Sequence, residues 1–425
     1  MRGATIGGGM EQLKALEPQL IGTVFRPYRP ADLEAALDRL HSPPWRPVRR
    51  QLGPLVRLWF RVLRTVTAKT RILLISLASA VTLLGLAEAG GVLGSPDSSE
   101  RRWALDYLIS GDTELSGVSL SLLQDLAGLV VLAVVFVTPV FCCQQVQAIG
   151  DFVQMNVRNG GGEDLSEGEV GQLNALTERI NGWFRLVGRW YVSLAIAAVM
   201  AVSTVLLYAF VNTHGLMGTW NPTDLPDAVW RSEVYEGWWA NQHTHPELAT
   251  ALCVAGTYAF YFLAKQLVMG VVFTAYLYQS DKLHFGVTPN MTFDSDGFQG
   301  LRSLRQFMLW TYGSALAHLI GLLVLFTVWL PAAAWMVFIV FFVMLVDMLV
   351  IVYPSSIGYH SALAVKKKHV KALRERLGDE SGTAIAQVWA EPVLPVTTRK
   401  AMTGIVLYLL APAVPALIPV LFQRF

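Results

Sequence analysis

Residues 308–352 read MLWTYGSALAHLIGLLVLFTVWLPAAAWMVFIVFFVMLVDMLVIV. Two apolar runs meet at Pro331, and each approaches or exceeds the roughly 20 residues of helix that cross a bilayer core. Each run holds one ionisable side chain, His318 in the first and Asp347 in the second. The chain as a whole is 53% hydrophobic and only 15% charged. A soluble globular domain carries about a quarter charged residues, so this composition excludes that class.

Working outward from this hairpin, the same length criterion predicts seven spans, at 72–94, 119–142, 190–212, 249–272, 308–330, 333–353 and 402–421. The expected fold class is therefore all-α: a polytopic membrane protein with about seven transmembrane helices and cytosolic amphipathic helices. The last span is interrupted by Pro412, Pro415 and Pro419, each of which removes a backbone donor and crowds the preceding turn. A full crossing and a re-entrant tail both remain open.

Orientation follows from the basic residues. Segments 1–71, 143–189, 281–307 and 355–401 carry 28 lysines and arginines, whereas 95–117 and 213–248 carry three. The excess marks the cytosolic side. The N-terminus is expected in the cytosol and the protein in a bacterial inner (plasma) membrane. The organisation then reads as 1–71, a cytosolic amphipathic region; 72–142, a first helical hairpin; 143–189, a cytosolic helical projection; 190–280, the third and fourth spans with a Trp-rich outer loop; 281–354, an inner turn and the fifth–sixth hairpin; 355–401, a basic cytosolic helix; and 402–425, a Pro-rich terminal span.

Local signals support this layout. Ser166 followed by Glu169 forms a capping box that opens a helix at about Glu167. Thr244, Pro246 and Glu247 open the fourth span in a similar way. Trp220, Trp230, Trp238 and Trp239 in the outer loop fit an interfacial aromatic belt. Arg57, Arg61 and Arg64 share one face of a helix over 55–68, suited either to an anionic membrane surface or to solvent. Lys366, Lys367, Lys368, Lys371, Arg374 and Arg376 form a basic helix. That helix can fix topology, lie on the inner leaflet or meet an anionic ligand.

Ionisable groups inside spans cost several kcal/mol each, so they usually face a partner or a water-filled path. Five are expected there: Glu88, Asp125, Lys265, His318 and Asp347. At a rise of ~1.5 Å per residue, Glu88 and Asp125 lie roughly 9 Å from the outer ends of their spans, and Lys265 and Asp347 roughly 24 and 21 Å. His318 falls near mid-span. Two readings follow. In one, a Lys265–Asp347 ion pair with His318 nearby holds three helices together. In the other, these groups line a pore or intramembrane polar network, with Glu88 and Asp125 as a cation-attracting outer layer. Gly313, Ala317 and Gly321 recur every four residues, which lets a second helix approach closely.

Catalytic signatures are missing from the sequence. It has no GxxxxGK[ST] phosphate loop and no G-x-S-x-G nucleophile elbow. No enzyme activity, metal site or cofactor is expected. Three cysteines, Cys142, Cys143 and Cys253, do not make a disulfide framework.

Residues 293–304, FDSDGFQGLRSL, resemble a PDG-x-GGL segment that recurs in bacterial polytopic proteins, with Ser295 in place of the proline and Gln299 in place of the first paired glycine. In general plan the chain is similar to membrane effectors of phage-defence operons, including Hailong-type channel subunits. That resemblance implies a homo-oligomeric ion channel answering to a nucleotide or oligonucleotide signal and a cytosolic regulatory partner. It would make the basic residues of 57–64 and 366–376 anion contacts. The expected function is thus a regulated homo-oligomeric ion channel in the lipid bilayer. The alternative is a proton-coupled secondary transporter using a His/Asp/Lys network.

Overall fold

The computed structural model describes residues 68–94, 102–103, 117–160, 167–217, 221, 223–282, 302–330, 334–378 and 382–390. The expected span at 402–421, Arg57, Arg61 and Arg64, and the turn at 283–301 lie outside the described residues.

The described chain is built almost entirely of helices: α1 (Ala68–Ala89), α2 (Leu126–Gly160), α3 (Glu167–Gly188), α4 (Trp190–His214), α5 (Asp227–Glu236), α6 (Pro246–Lys282), α7 (Arg302–Val324), α8 (Ala334–Leu377) and α9 (Gly382–Ala390). Six of them, α1, α2, α4, α6, α7 and α8, are long and apolar enough to cross a membrane. The chain is therefore a multi-pass helical membrane protein. Two short strands, β1 (Arg102–Trp103) and β2 (Val118–Ser119), pair in parallel.

Most spans fall where composition places them, and the differences have local causes. The second was expected from residue 119, but α2 starts at Leu126. The peptide before it is taken up by β2 and by a turn in which Asp125 donates its N–H to Ser121 O at 3.0 Å. The basic segment after the sixth span is not a separate helix. It continues α8, which runs 44 residues through Pro354. The helix expected at about Glu167 opens there as α3.

α6 occupies the centre, against α1, α2, α3, α4 and α8, while α7 packs along α2. One apolar core joins α2, α3, α6, α7 and α8 through residues such as Phe152, Phe184, Phe273 and Phe307. α3 enters it through Leu176, Ile180, Phe184 and Val187, spaced to lie on one helix face. A second core lies at the opposite end, where residues 117–125, 215–217 and 223–245 fold into a cap over the ends of α2, α6 and α7. Trp230, Trp238 and Trp239 are all but fully buried in that cap. They are core residues, which corrects the expected aromatic belt; Trp220 lies outside the described residues. The cap chain passes so close that a Cβ on Gly237 would run into the carbonyl group of Val118. Only glycine fits there.

Candidate functional site: a capped polar seam

The cap is organised on Asp125, which is completely buried. Its Oδ2 accepts from three indole N–H groups, Trp239 at 3.0 Å and Trp238 and Trp329 at 3.1 Å each. Its Oδ1 accepts the Gly128 N–H at 2.7 Å. Three separate pieces of chain deliver these donors. Asp125 stands just before α2, where free N–H groups and the helix dipole favour a carboxylate. Trp238 and Trp239 are held by a ladder in which Leu120 N donates to Gly237 O and Trp239 N donates to Leu120 O. Trp329 ends a π-helical turn, Leu325–Trp329, that follows α7. A Cβ on Gly128 would stand 2.6 Å from Asp125 Cγ, so that position also depends on glycine. Burial pushes the Asp125 carboxyl above its ordinary value, opposed by the Gly128 N–H and the three indoles. All four partners are donors, so the ionised carboxylate is the form whose hydrogen bonds are satisfied.

Below the cap, where α2, α6 and α7 meet, six uncharged or weakly basic side chains form a buried seam. Gln145 Nε2 donates to Thr311 Oγ1 at 2.9 Å, and Thr311 donates on to Phe307 O at 2.8 Å. Gln266 Nε2 donates to Ser314 Oγ at 2.6 Å. Ser314 Oγ lies 3.5 Å from His318 Nδ1, and Thr138 Oγ1 lies 3.3 Å from His318 Nε2. Thr138 spends its own hydrogen on Val134 O at 2.7 Å. The network therefore assigns the His318 proton to Nε2, leaving Nδ1 to accept from Ser314. Among the described residues, the amide oxygens Gln145 Oε1 and Gln266 Oε1 have no hydrogen-bond partner. Both glutamines are buried, at 1% and 5% exposure. An unpaired polar atom at such a site costs about 1–3 kcal/mol. α2 and α6 run in parallel from the cap, and Cys142 Sγ meets Phe262 O at 3.5 Å. Gln145 and Gln266 lie within about one turn beyond that contact, at a common level.

The glycine stripe on α7 faces this seam. A Cβ on Gly313 would meet Phe141 at 3.1 Å, and one on Gly321 would meet Val134 at 3.0 Å. Ala317 is half-buried on the same helix. Gly270 of α6 is equally tight, with Val350 of α8 at 2.7 Å from an added Cβ.

Lys265 does not pair with Asp347. Its Nζ donates to Val187 O at 2.6 Å and Ser193 Oγ at 2.9 Å, and sits 5.7 Å from the Tyr261 ring centroid. Carbonyls in the last turn of a helix lack helical partners and carry the negative end of its dipole. The end of α3 therefore supplies the ammonium with an acceptor in place of the Asp347 carboxylate. Asp347 is buried on α8, and His318 bonds neither it nor Lys265. The expected three-residue network is thus three separate stations. Nor do the two outer carboxylates form one layer. Glu88 is exposed near the end of α1, whereas Asp125 is sealed in the cap.

The basic segment divides as well. Lys366 is buried and donates to Val388 O of α9 at 2.7 Å, so it is not an exposed anion contact. Lys367, Lys371 and Arg374 are exposed on α8. The side chains of Lys368 and Arg376 lie outside the described residues.

No family model matches the chain, and neither a curated protein nor a solved structure matches it.

Proposed function

We propose that this chain is the subunit of a regulated ion channel of the bacterial inner membrane, with a path for a small monovalent cation along the α2–α6–α7 seam and with the cap closing that path in the state described. The observation that carries this reading is the pair of buried, unpartnered amide oxygens, Gln145 Oε1 and Gln266 Oε1. A permeating cation exchanges its water for oxygen ligands, and uncharged oxygens hold a monovalent ion weakly enough to release it. The seam stops short of the cap, where Asp125 and the three tryptophans fill the interior. Apolar faces of α1, α4 and α8, with Leu77, Val202 and Phe342 more than half exposed, suit lipid and neighbouring copies of the chain. Lys367, Lys371 and Arg374 offer an anionic regulator, such as a nucleotide signal, a cytosolic docking face.

Recording from the purified protein in planar bilayers tests the proposal. Step-like currents are expected, and Gln266→Leu should lower unitary conductance several-fold while the protein still assembles. Persistent silence from intact protein under all applied voltages would sink the channel reading. Because the seam lies inside one chain, a proton-coupled carrier is the second reading. Saturable, proton-linked solute uptake without current steps would favour it.

A further inference from the structure

We propose that the bend between α3 and α4 is a binding site for the headgroup of an anionic phospholipid. The chain breaks at Arg189, whose backbone turns extended (φ −65°, ψ 140°) between the two helices. Immediately after it, Trp190 begins a membrane span, so the bend lies at a bilayer boundary. Along the edge of its buried Leu176–Val187 stripe, α3 presents exposed Arg179 and Trp183 at helical i, i+4 spacing, and exposed Trp190 follows just past the break. Trp183 is 45% exposed and Trp190 60%, which is large apolar surface for the mouth of a span. Arg189 Nη1 donates to Tyr191 Oη at 2.7 Å, which holds the guanidinium beside the exposed aromatic rings. The acidic neighbour Glu178 is already engaged by Arg185 at 3.5 Å. Basic groups interleaved with amphipathic aromatic rings at this depth match a negative phosphate above acyl chains.

The bend is also held to the bundle. Lys265 bonds Val187 O on one side of the break and Ser193 Oγ on the other. A headgroup therefore meets a preformed surface rather than one it must order, which lowers the cost of binding.

Native mass spectrometry of the full chain, released from mixed phosphatidylglycerol–phosphatidylcholine nanodiscs, tests the site. The wild type should retain phosphatidylglycerol in preference to phosphatidylcholine. Arg179→Gln with Arg189→Gln should weaken that retention on the order of 30-fold, about fivefold per charge removed near the surface. Lys367→Gln with Lys371→Gln removes the same charge from α8 and should leave retention within twofold of wild type. Should the double bend variant melt early, Arg179→Gln alone serves, with about a fivefold loss expected, because its exposed side chain makes no hydrogen bond or ion pair among the described residues. Equal loss in the α8 control, equal retention of both lipids, or binding of free inorganic phosphate as tight as that of the lipid would overturn the proposal.

Discussion

Asp125 shows how much one side chain can organise. It is an acceptor in every contact it makes, and its amide counterpart is not. In Asp125→Asn, the amide places its N–H₂ against either the indoles or the Gly128 N–H, so a donor faces a donor whichever way it turns. The expected cost is about 1–3 kcal/mol. It should be read as a melting temperature lowered by several degrees in detergent. An unchanged melting curve would mean that the indoles find other acceptors. The sequence made Asp125 conspicuous, since a carboxylate in an apolar stretch is costly. It did not reveal the answer to that cost, because the three tryptophans come from positions 113, 114 and 204 residues away. The same holds for Lys265. Charge alone suggests a carboxylate partner, whereas its acceptor is a backbone carbonyl at a helix end, which composition does not display. Gln145 and Gln266 carry no charge and so do not stand out in an apolar stretch, yet uncharged amides also have to be satisfied in an apolar interior.

At the scale of elements, six of the seven expected spans are legible in the sequence, since length and hydropathy act along a single helix and need no partner; the seventh lies outside the described residues. The ends of the six are less legible. α2 begins later than its apolar composition suggests because Asp125 and the cap strands claim the preceding residues. Tryptophans in the outer loop read as a belt because the residue suits an interface and a core alike. The α7 stripe, by contrast, was visible as a four-residue repeat, and its neighbours can now be named. Gly321→Ile forces added atoms against Val134 and should destabilise the α2–α7 pair by about 1–3 kcal/mol. Gly85→Ala on α1 has open space around it and should be neutral or slightly stabilising in the same assay. Thermal unfolding of the two variants side by side separates close packing from ordinary helix propensity. Equal melting temperatures would show that α2 and α7 yield without cost.

For the whole molecule, the interior and the lipid-facing exterior divide unevenly. Only 11% of the α4 span is buried, against 61% of the most apolar stretch of α6. One helix is a peripheral post and the other a central axle, which carries Lys265 and Gln266. Lys265 sits nineteen residues from the start of α6, or ~28 Å along it, close to the far boundary of a hydrocarbon core about 30 Å thick. A buried ammonium near that boundary is less costly than one at the midplane. The proposed homo-oligomer makes its own prediction. In a mild detergent the complex should have a mass that is a multiple of 46.8 kDa. A single chain at every protein concentration would count against assembly while leaving the seam inside each chain intact.

The π turn at Leu325–Trp329 has a consequence for how this chain can diverge. That turn carries one residue more than an α-helical turn would, and it is this surplus that brings the Trp329 indole round to Asp125. Leu325 and Phe326 can drift among apolar types of similar size. The number of residues cannot change, because losing one would swing Trp329 by about 100° around the helix axis. The latch is thus set by counting rather than by chemistry, and a single-codon deletion there would undo what many substitutions would leave in place.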